Sequence, residues 1–243
     1  MEDSVNVSVE FLADDAEKAV RRRDVIVVVD ALRCTTTIVA ALANGAEAII
    51  PVETMDEALR IHSENPDYLL AGERGGLKPR GFDLGNSPLE YVHERICGKT
   101  IILTTTSGTV ALARSRNARW VLIGSFLNAG AVAKRTVLIA EDKGADVSIV
   151  QSGTKGRFSL EDFLCTGAII SRMPKNSVEL SDAAQAALLA FKHAENDLCG
   201  NLMNSEHSRE LVKLGFGGDI EFACQLDLFP VVPVCESGII TKK

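Results

Sequence analysis

Asp30-Ala31-Leu32-Arg33-Cys34-Thr35-Thr36-Thr37 follows an apolar run and opens a helical pattern, so one short loop carries a carboxylate, a guanidinium and three threonine hydroxyls. Such hydroxyls, with the free N–H groups of a helix start, make a cradle for an anion, and Arg33 adds a planar fork of donors. Asp30 has the wrong charge to bind an anion itself. At the end of a strand it suits a metal ligand, a general base or a nucleophile. The plainer reading of this loop is a capped helix start with a structural Asp–Arg pair.

A second loop, Thr104-Thr105-Thr106-Ser107-Gly108-Thr109, repeats the design without charge. A helix cap needs one hydroxyl; Thr105, Thr106 and Ser107 supply more, and Gly108 allows close backbone approach, which suits phosphate or sulfonate oxygens. Between these loops, Gly72 to Pro88 is glycine-rich and aperiodic and carries Arg74, Lys78 and Arg80. A stretch of that kind inside a domain is often functional, the alternative being a surface excursion. A third loop, Ser152 to Arg157, adds Lys155 and Arg157 and leads into a helix whose first turn holds Glu161 and Asp162. Either acid can be a simple partner of the helix dipole. If the loops meet, Glu161 or Asp162 completes a hard-oxygen magnesium site with Asp30, leaving water and substrate phosphate in the other positions.

Several sharper motifs are excluded. Gly98-Lys99-Thr100 resembles the end of a P-loop, but position 93 is His and the triplet precedes a strand pattern where it should follow one. No GxGxxG follows a strand and opens a helix. Cys34 lacks the Arg six positions on that a cysteine phosphatase needs, since position 40 is Ala. His62, His93, His193 and His207 show no metal-ligand spacing, and each reads as a surface or helix residue.

The elements that must position these loops alternate. Short β-branched runs at Val25 to Val29, Ala48 to Pro51, Thr100 to Leu103, Trp120 to Ile123 and Val147 to Val150 predict strands. Helical spacing covers Asp14 to Arg23, Thr35 to Ala43, Met55 to His62, Gly108 to Ser115, Asn128 to Lys143, Leu160 to Arg172 and Ser181 to Asn196. That alternation predicts a largely parallel sheet with helices on its faces, where ligands sit beyond the carboxyl ends of the strands. Sliding the chain on itself by 72 residues lays Thr37-Ile38-Val39 on Thr109-Val110-Ala111 and Ala48 to Ile50 on Trp120 to Leu122. The expectation is one α/β domain over 1–243 with β-loop-α units repeated around 25–60 and 100–135, or two similar fused subdomains.

The chain has 243 residues and a formal net charge of -7. Its basic runs are short, Arg21-Arg22-Arg23 ending a helix beside Asp24, which argues against nucleic acid as a partner. Six cysteines without a CxxC pair suggest reduced core thiols. No apolar run reaches the roughly 20 residues of a membrane span. The stretch Met1 to Glu10 is acidic and alternating, without the apolar core of a signal peptide, so a cytoplasmic location is expected.

At these same loops the chain resembles the 2-phosphosulfolactate phosphatase family of coenzyme M biosynthesis. The likeness rests on VVVDALRCTTTIVAAL from Val27, GERGG from Gly72, GFDLGNSP from Gly81, TTTSGTVAL from Thr104, GSFLNAGAVA from Gly124 and GTKGRFSLEDFLCTGAI from Gly153, and continues to Gly218-Asp219, Cys224 and Asp227. It implies a three-layer α/β/α fold, a magnesium ion, and hydrolysis of 2-phospho-3-sulfolactate to 3-sulfolactate and phosphate. Asp30 and Arg33 become the catalytic pair, and Asp30, Glu161 and Asp162 the metal ligands. Substrate-binding roles fall to Thr35, Thr36, Thr37, Arg74, Arg80, Asn86, Ser87, Thr105, Thr106, Ser107, Ser125, Asn128 and Arg157. The partner is then a small anionic phosphate ester, and such folds can pair as homo-oligomers. In-line attack by water competes with a covalent aspartyl-phosphate on Asp30. Two other readings stay open: a phosphatase of the same fold for another small phosphorylated carboxylic acid, and a non-catalytic anion-binding regulatory protein.

Overall fold

The computed structural model describes residues 4–243, so Met1 to Asp3 of the acidic N-terminal stretch lie outside the described residues. In chain order the elements are β1 (Val5–Glu10), α1 (Ala16–Arg22), β2 (Val25–Val29), α2 (Cys34–Ala43), β3 (Ala48–Pro51), α3 (Met55–Glu64), β4 (Leu69–Gly72), α4 (His93–Ile96), β5 (Thr100–Thr104), α5 (Gly108–Ser115) and β6 (Val121–Gly124). There follow α6 (Ala129–Lys143), β7 (Val147–Gln151), α7 (Leu160–Ile170), β8 (Val178–Leu180), α8 (Asp182–Ala194), α9 (Leu198–Met203), α10 (Glu206–Lys213), α11 (Gly217–Ala223), β9 (Pro233–Glu236) and β10 (Ile239–Lys242).

Local chemistry explains the main ends. Ser159 and Ser181 accept the Asp162 and Ala184 N–H groups and so start α7 and α8. Gly144, at φ 59, closes α6 in the left-handed conformation. The all-apolar β2 is covered on both faces: Val25, Val27 and Val29 enter one core with residues of α6, α7 and α8, and Ile26 and Val28 enter another with residues of α1, α2 and α5. A smaller cluster places Ala58 of α3 against Leu70 and Ile102. Helices therefore sandwich the sheet in three layers. None of the described helices is long and apolar enough to cross a membrane.

The sheet is largely parallel, as expected, with an antiparallel hairpin inserted at its centre. Its ten strands run in the order β4-β5-β3-β10-β9-β6-β2-β7-β1-β8. Six neighbouring pairs are parallel and three, around the β9–β10 hairpin, are antiparallel. Ser237 and Gly238, at φ 51 and 81, form the two-residue turn whose twist suits such a hairpin. Three successive reversals leave the β3-β5-β4 side running opposite to the β6-β2-β7 side, so the functional loops do not share one edge of a uniform parallel sheet.

They meet by another route. The segment β2-α2-β3 starts on one side of the hairpin and ends on the other, and β5-α5-β6 makes the reverse crossing. The repeated segments around 25–60 and 100–135 fall on these two crossings. Helices α2 and α5 lie on the same face, and their first turns touch: a Cβ on Gly108 would stand 2.4 Å from the Cys34 Cβ.

Candidate active site

The two loops that enter these helices share one backbone device. The Asp30 N–H donates to Thr35 Oγ1 at 3.0 Å, and that hydroxyl donates back to the Asp30 carbonyl at 2.9 Å. In the other loop the Thr105 N–H donates to Thr109 Oγ1 at 3.1 Å, and that hydroxyl returns to the Thr105 carbonyl at 2.9 Å. A carboxylate then caps the following N–H in each loop. Asp162 Oδ1 accepts from the Ala31 N–H at 2.8 Å, and Glu73 Oε1 accepts from the Thr106 N–H at 2.6 Å. Paired loops are thus held open around a common cavity of about 180 Å³.

The side of this cavity nearest α2 is acidic. Asp30 is 7 % exposed, with Oδ1 accepting the Cys34 N–H at 3.1 Å. Burial pushes its carboxyl up to about 6, against the Cys34 N–H, the charge of His207 and the Ser152 hydroxyl, which all favour the ionised form. Asp162 is pushed well above the usual carboxylate range by burial and by the charges of Asp30 and Glu161. Among the described residues neither Asp30 nor Asp162 has a Lys or Arg ion-pair partner.

The α5 side is a donor surface. Thr106, Ser107 and Thr105 line the cavity, and among the described residues neither the Ser107 nor the Gly108 N–H has an acceptor, as expected of a helix start. Gly108 lets this surface abut the acids, since a Cβ there would come within 2.6 Å of Asp30 Oδ2. Leu32, Leu211 and Leu214 form an apolar wall.

Arg33 lines the cavity with its charge already engaged. Its Nη1 donates to Asp219 Oδ2 at 2.7 Å, its Nη2 donates to the Gly76 carbonyl at 2.7 Å, and the guanidinium lies 4.2 Å from the Phe216 ring centroid. Lys155 and His207 are the other basic side chains in the lining. His207 Nε2 lies 3.0 Å from the Leu32 carbonyl, which can only accept, so Nε2 carries the proton and Nδ1 is left without a hydrogen-bond partner.

Of the residues singled out from the sequence, Asp30, Arg33, Asn86, Thr105, Thr106, Ser107 and Asp162 line this cavity. Others stand elsewhere. Thr35, Thr36 and Thr37 are fully buried, and their hydroxyls donate to the carbonyls of Asp30, Ala31 and Asn86, so they brace the loops and offer an anion nothing. Ser125 and Asn128 cap each other in the core, where Asn128 Nδ2 donates to the carbonyls of Ile123 and Val231. Ser87 donates to Asp219 at 2.6 Å, outside the lining. Arg74 folds back on the carbonyls of Glu73 and Glu53 and on Thr104 Oγ1. Arg80 is exposed away from the cavity, and Arg157 leans toward Glu206 at 3.5 Å. Glu161 is buried outside the lining, with Oε1 unpartnered.

Sequence reasoning passed over Glu73, whose two oxygens tie the Thr106 and Gly76 N–H groups together, and Asp219, which holds Arg33. It also set His207 aside as a surface or helix residue, whereas the first turn of α10 carries it into the cavity wall. GERGG and Gly218-Asp219 were visible as motifs, but nothing in their spacing assigned these roles.

Among the described residues no group of three or more His, Cys, Asp or Glu side chains is arranged to hold a metal. Of the buried carboxylates in the lining, Asp30, Glu73 and Asp162, the charge of Asp30 bears on Asp162, so this pair offers oxygen donors to a hard dication with no Lys or Arg partner among the described residues. Magnesium commonly takes one or two protein carboxylates and completes its shell with water and phosphate, so these residues fit it.

Comparison with known proteins gives a consistent result. A family model described as 2-phosphosulpholactate phosphatase matches residues 11–238. The chain is 46 % identical over 217 residues to the "Probable 2-phosphosulfolactate phosphatase" of Thermotoga petrophila, covering 89 % of this chain and 91 % of that one. Proteins of the same name from Clostridium acetobutylicum, 42 % identical over 94 % of this chain and 96 % of theirs, and Clostridium beijerinckii, 36 % identical over 98 % and 99 %, are similar along their whole length.

Proposed function

The chain belongs to the 2-phosphosulfolactate phosphatase family of phosphoric monoester hydrolases, and from that premise we propose that it hydrolyses 2-phospho-3-sulfolactate to 3-sulfolactate and phosphate with magnesium bound. The observation that carries this reading is the contact between two unlike surfaces. At Gly108 the donor-rich start of α5 meets the buried Asp30 carboxylate, and the cavity beside this contact, lined by Asp30, Asp162 and Thr105 to Ser107, is where a phosphoryl group and a carboxylate-held dication would lie.

Asp30 and Asp162 would hold the magnesium ion. When bound, it neutralises charge on the phosphate oxygens and polarises phosphorus. The Ser107 and Gly108 N–H groups and the Thr106 and Ser107 hydroxyls bind the equatorial oxygens, where charge is spread in the transition state. Arg33, held by Asp219, keeps its positive charge at the cavity wall. Substrate packed against the leucine wall would displace water from the cavity, which strengthens each of these interactions.

Phosphate release from 2-phospho-3-sulfolactate, measured with magnesium and again with excess chelator, tests the reading. Turnover that needs the metal is expected. Binding of the ester with no release of phosphate would turn the chain into an anion sensor, and equal turnover in chelator would remove the metal.

A further inference from the structure

The substrate just proposed carries a phosphate, a carboxylate and a sulfonate, yet the cavity offers few positive side chains. Arg33 is buried and committed to Asp219, and His207 is tied through Nε2 to Leu32. Lys155 differs from both. It stands on the tight turn that follows β7, exposed at the cavity rim, with its ammonium 2.8 Å from both carboxylate oxygens of Glu210 on α10. The two side chains are 60 % and 51 % exposed, and pairs so open to water hold weakly.

The backbone adds a second observation. Lys155 has φ 54, in the left-handed region, which the same turn also uses at Gly153, two residues earlier, with φ 66, and at Gly156, directly after, with φ 71. Those two are glycines, for which this region carries no steric penalty. A lysine there accepts conformational strain, and strain of that kind concentrates at binding and switch positions.

Resting on the substrate reading above, we propose that Lys155 is the specificity-determining residue that recognises the sulfonate, and that Glu210 holds its ammonium until the sulfonate displaces it. With the phosphoryl group between Asp30 and α5, the carboxylate sits on the same carbon as the ester oxygen. The sulfonate is one carbon farther out, toward the rim. A flexible stem ending in a compact point charge suits a group that arrives last and lies outermost. Glu210 and the sulfonate compete for one ammonium, so the resting pair also keeps weaker anions off it.

The test is steady-state kinetics of the full chain with magnesium on 2-phospho-3-sulfolactate and on 2-phospholactate, which has a methyl group in place of the sulfomethyl. Lys155→Met should raise KM for the sulfonate ester by about tenfold or more, the loss appearing in KM and not kcat, while KM for 2-phospholactate moves far less. Glu210→Gln should change KM in the opposite direction, lowering it for the sulfonate ester by up to about fivefold. Thermal unfolding of both variants checks that the fold is intact. Equal KM increases on both esters, or a KM that rises in Glu210→Gln, would overturn the proposal, as would a wild-type chain that shows no preference for the sulfonate ester. A wild-type chain that cleaves neither ester removes the substrate reading itself, a result distinct from active wild type with an indifferent Lys155→Met.

Discussion

Arg33 Nη1 lies 2.7 Å from Asp219 Oδ2, and each side chain is only 2 % exposed. The pair joins the start of α2 to α11 across 186 residues of sequence, and Ser87 donates to the other Asp219 oxygen at 2.6 Å. A cavity built for an anion thus keeps its principal guanidinium under a carboxylate.

Removing that carboxylate strands a buried charge. Asp219→Ala should destabilise the chain by about 3–5 kcal/mol, the range for breaking one side of a buried pair. Ser87→Ala, which removes one hydrogen bond to the charged group, should lose about 1.5–3 kcal/mol. Urea unfolding of the two variants checks the order. A smaller loss for Asp219→Ala than for Ser87→Ala would show that Arg33 finds another partner.

Asp30 links activity to instability. Burial raises its carboxyl from 3.8 to about 6, so the folded state binds this proton more tightly than the unfolded chain does. Its contribution to stability is complete below pH 3.8 and is lost as pH rises through about 6. At pH 8 the ionised side chain costs roughly 1–3 kcal/mol. Asp30→Asn should therefore raise the melting temperature at pH 8 in chelator, leave it little changed at pH 4, and lower turnover by orders of magnitude. A variant that melts lower at pH 8 would contradict the burial argument, and one with normal turnover would remove Asp30 from the chemistry.

Gly108 is tested by its missing carbon. Its φ is not positive, so alanine meets no backbone penalty, but the new Cβ would lie 2.4 Å from the Cys34 Cβ and 2.6 Å from Asp30 Oδ2. The first turns of α2 and α5 must then separate by about an ångström to restore ordinary carbon–carbon contact. Misplacement near that scale can reduce turnover by about a hundredfold, and Gly108→Ala is expected to do so with a far-ultraviolet spectrum like wild type. Unchanged kcat would mean that the two helix starts need not touch.

These positions differ in how far they can be read from the chain alone. Asp30 and the Thr105 to Ser107 run are legible because an acid and surplus hydroxyls at strand ends exceed what capping requires. Thr35, Thr36 and Thr37 look alike in sequence, yet their hydroxyls turn inward to loop carbonyls, a choice that depends on tertiary neighbours such as Asn86. Ser125 and Asn128 lie in a stretch that resembles the family, but their spacing is equally that of a cap. The β9–β10 hairpin escapes notice because its strands are four residues each and carry the signature of a turn more than of a sheet centre. His207 reaches the cavity and Asp219 reaches Arg33 through the packing of α10 and α11, which no local pattern encodes.

The third loop offered Glu161 and Asp162 as equal candidates for the metal, and their environments now separate them. Asp162 faces the cavity beside Asp30, held by the Ala31 and Gly153 N–H groups at 2.8 and 3.2 Å, and its carboxyl is raised by burial and by Asp30. Glu161 is equally buried but stands outside the lining. A dication between Asp30 and Asp162 would cancel their repulsion and bind the folded state alone. Magnesium at about a hundredfold excess over its Kd should then raise the melting temperature by roughly 5–10 °C. Asp162→Asn should abolish that increase, because one neutral amide cannot replace the second charge, whereas Glu161→Gln should preserve it. Differential scanning calorimetry across a magnesium titration reads both variants without requiring substrate. A shift lost in Glu161→Gln and kept in Asp162→Asn would move the metal out of the cavity and behind α7.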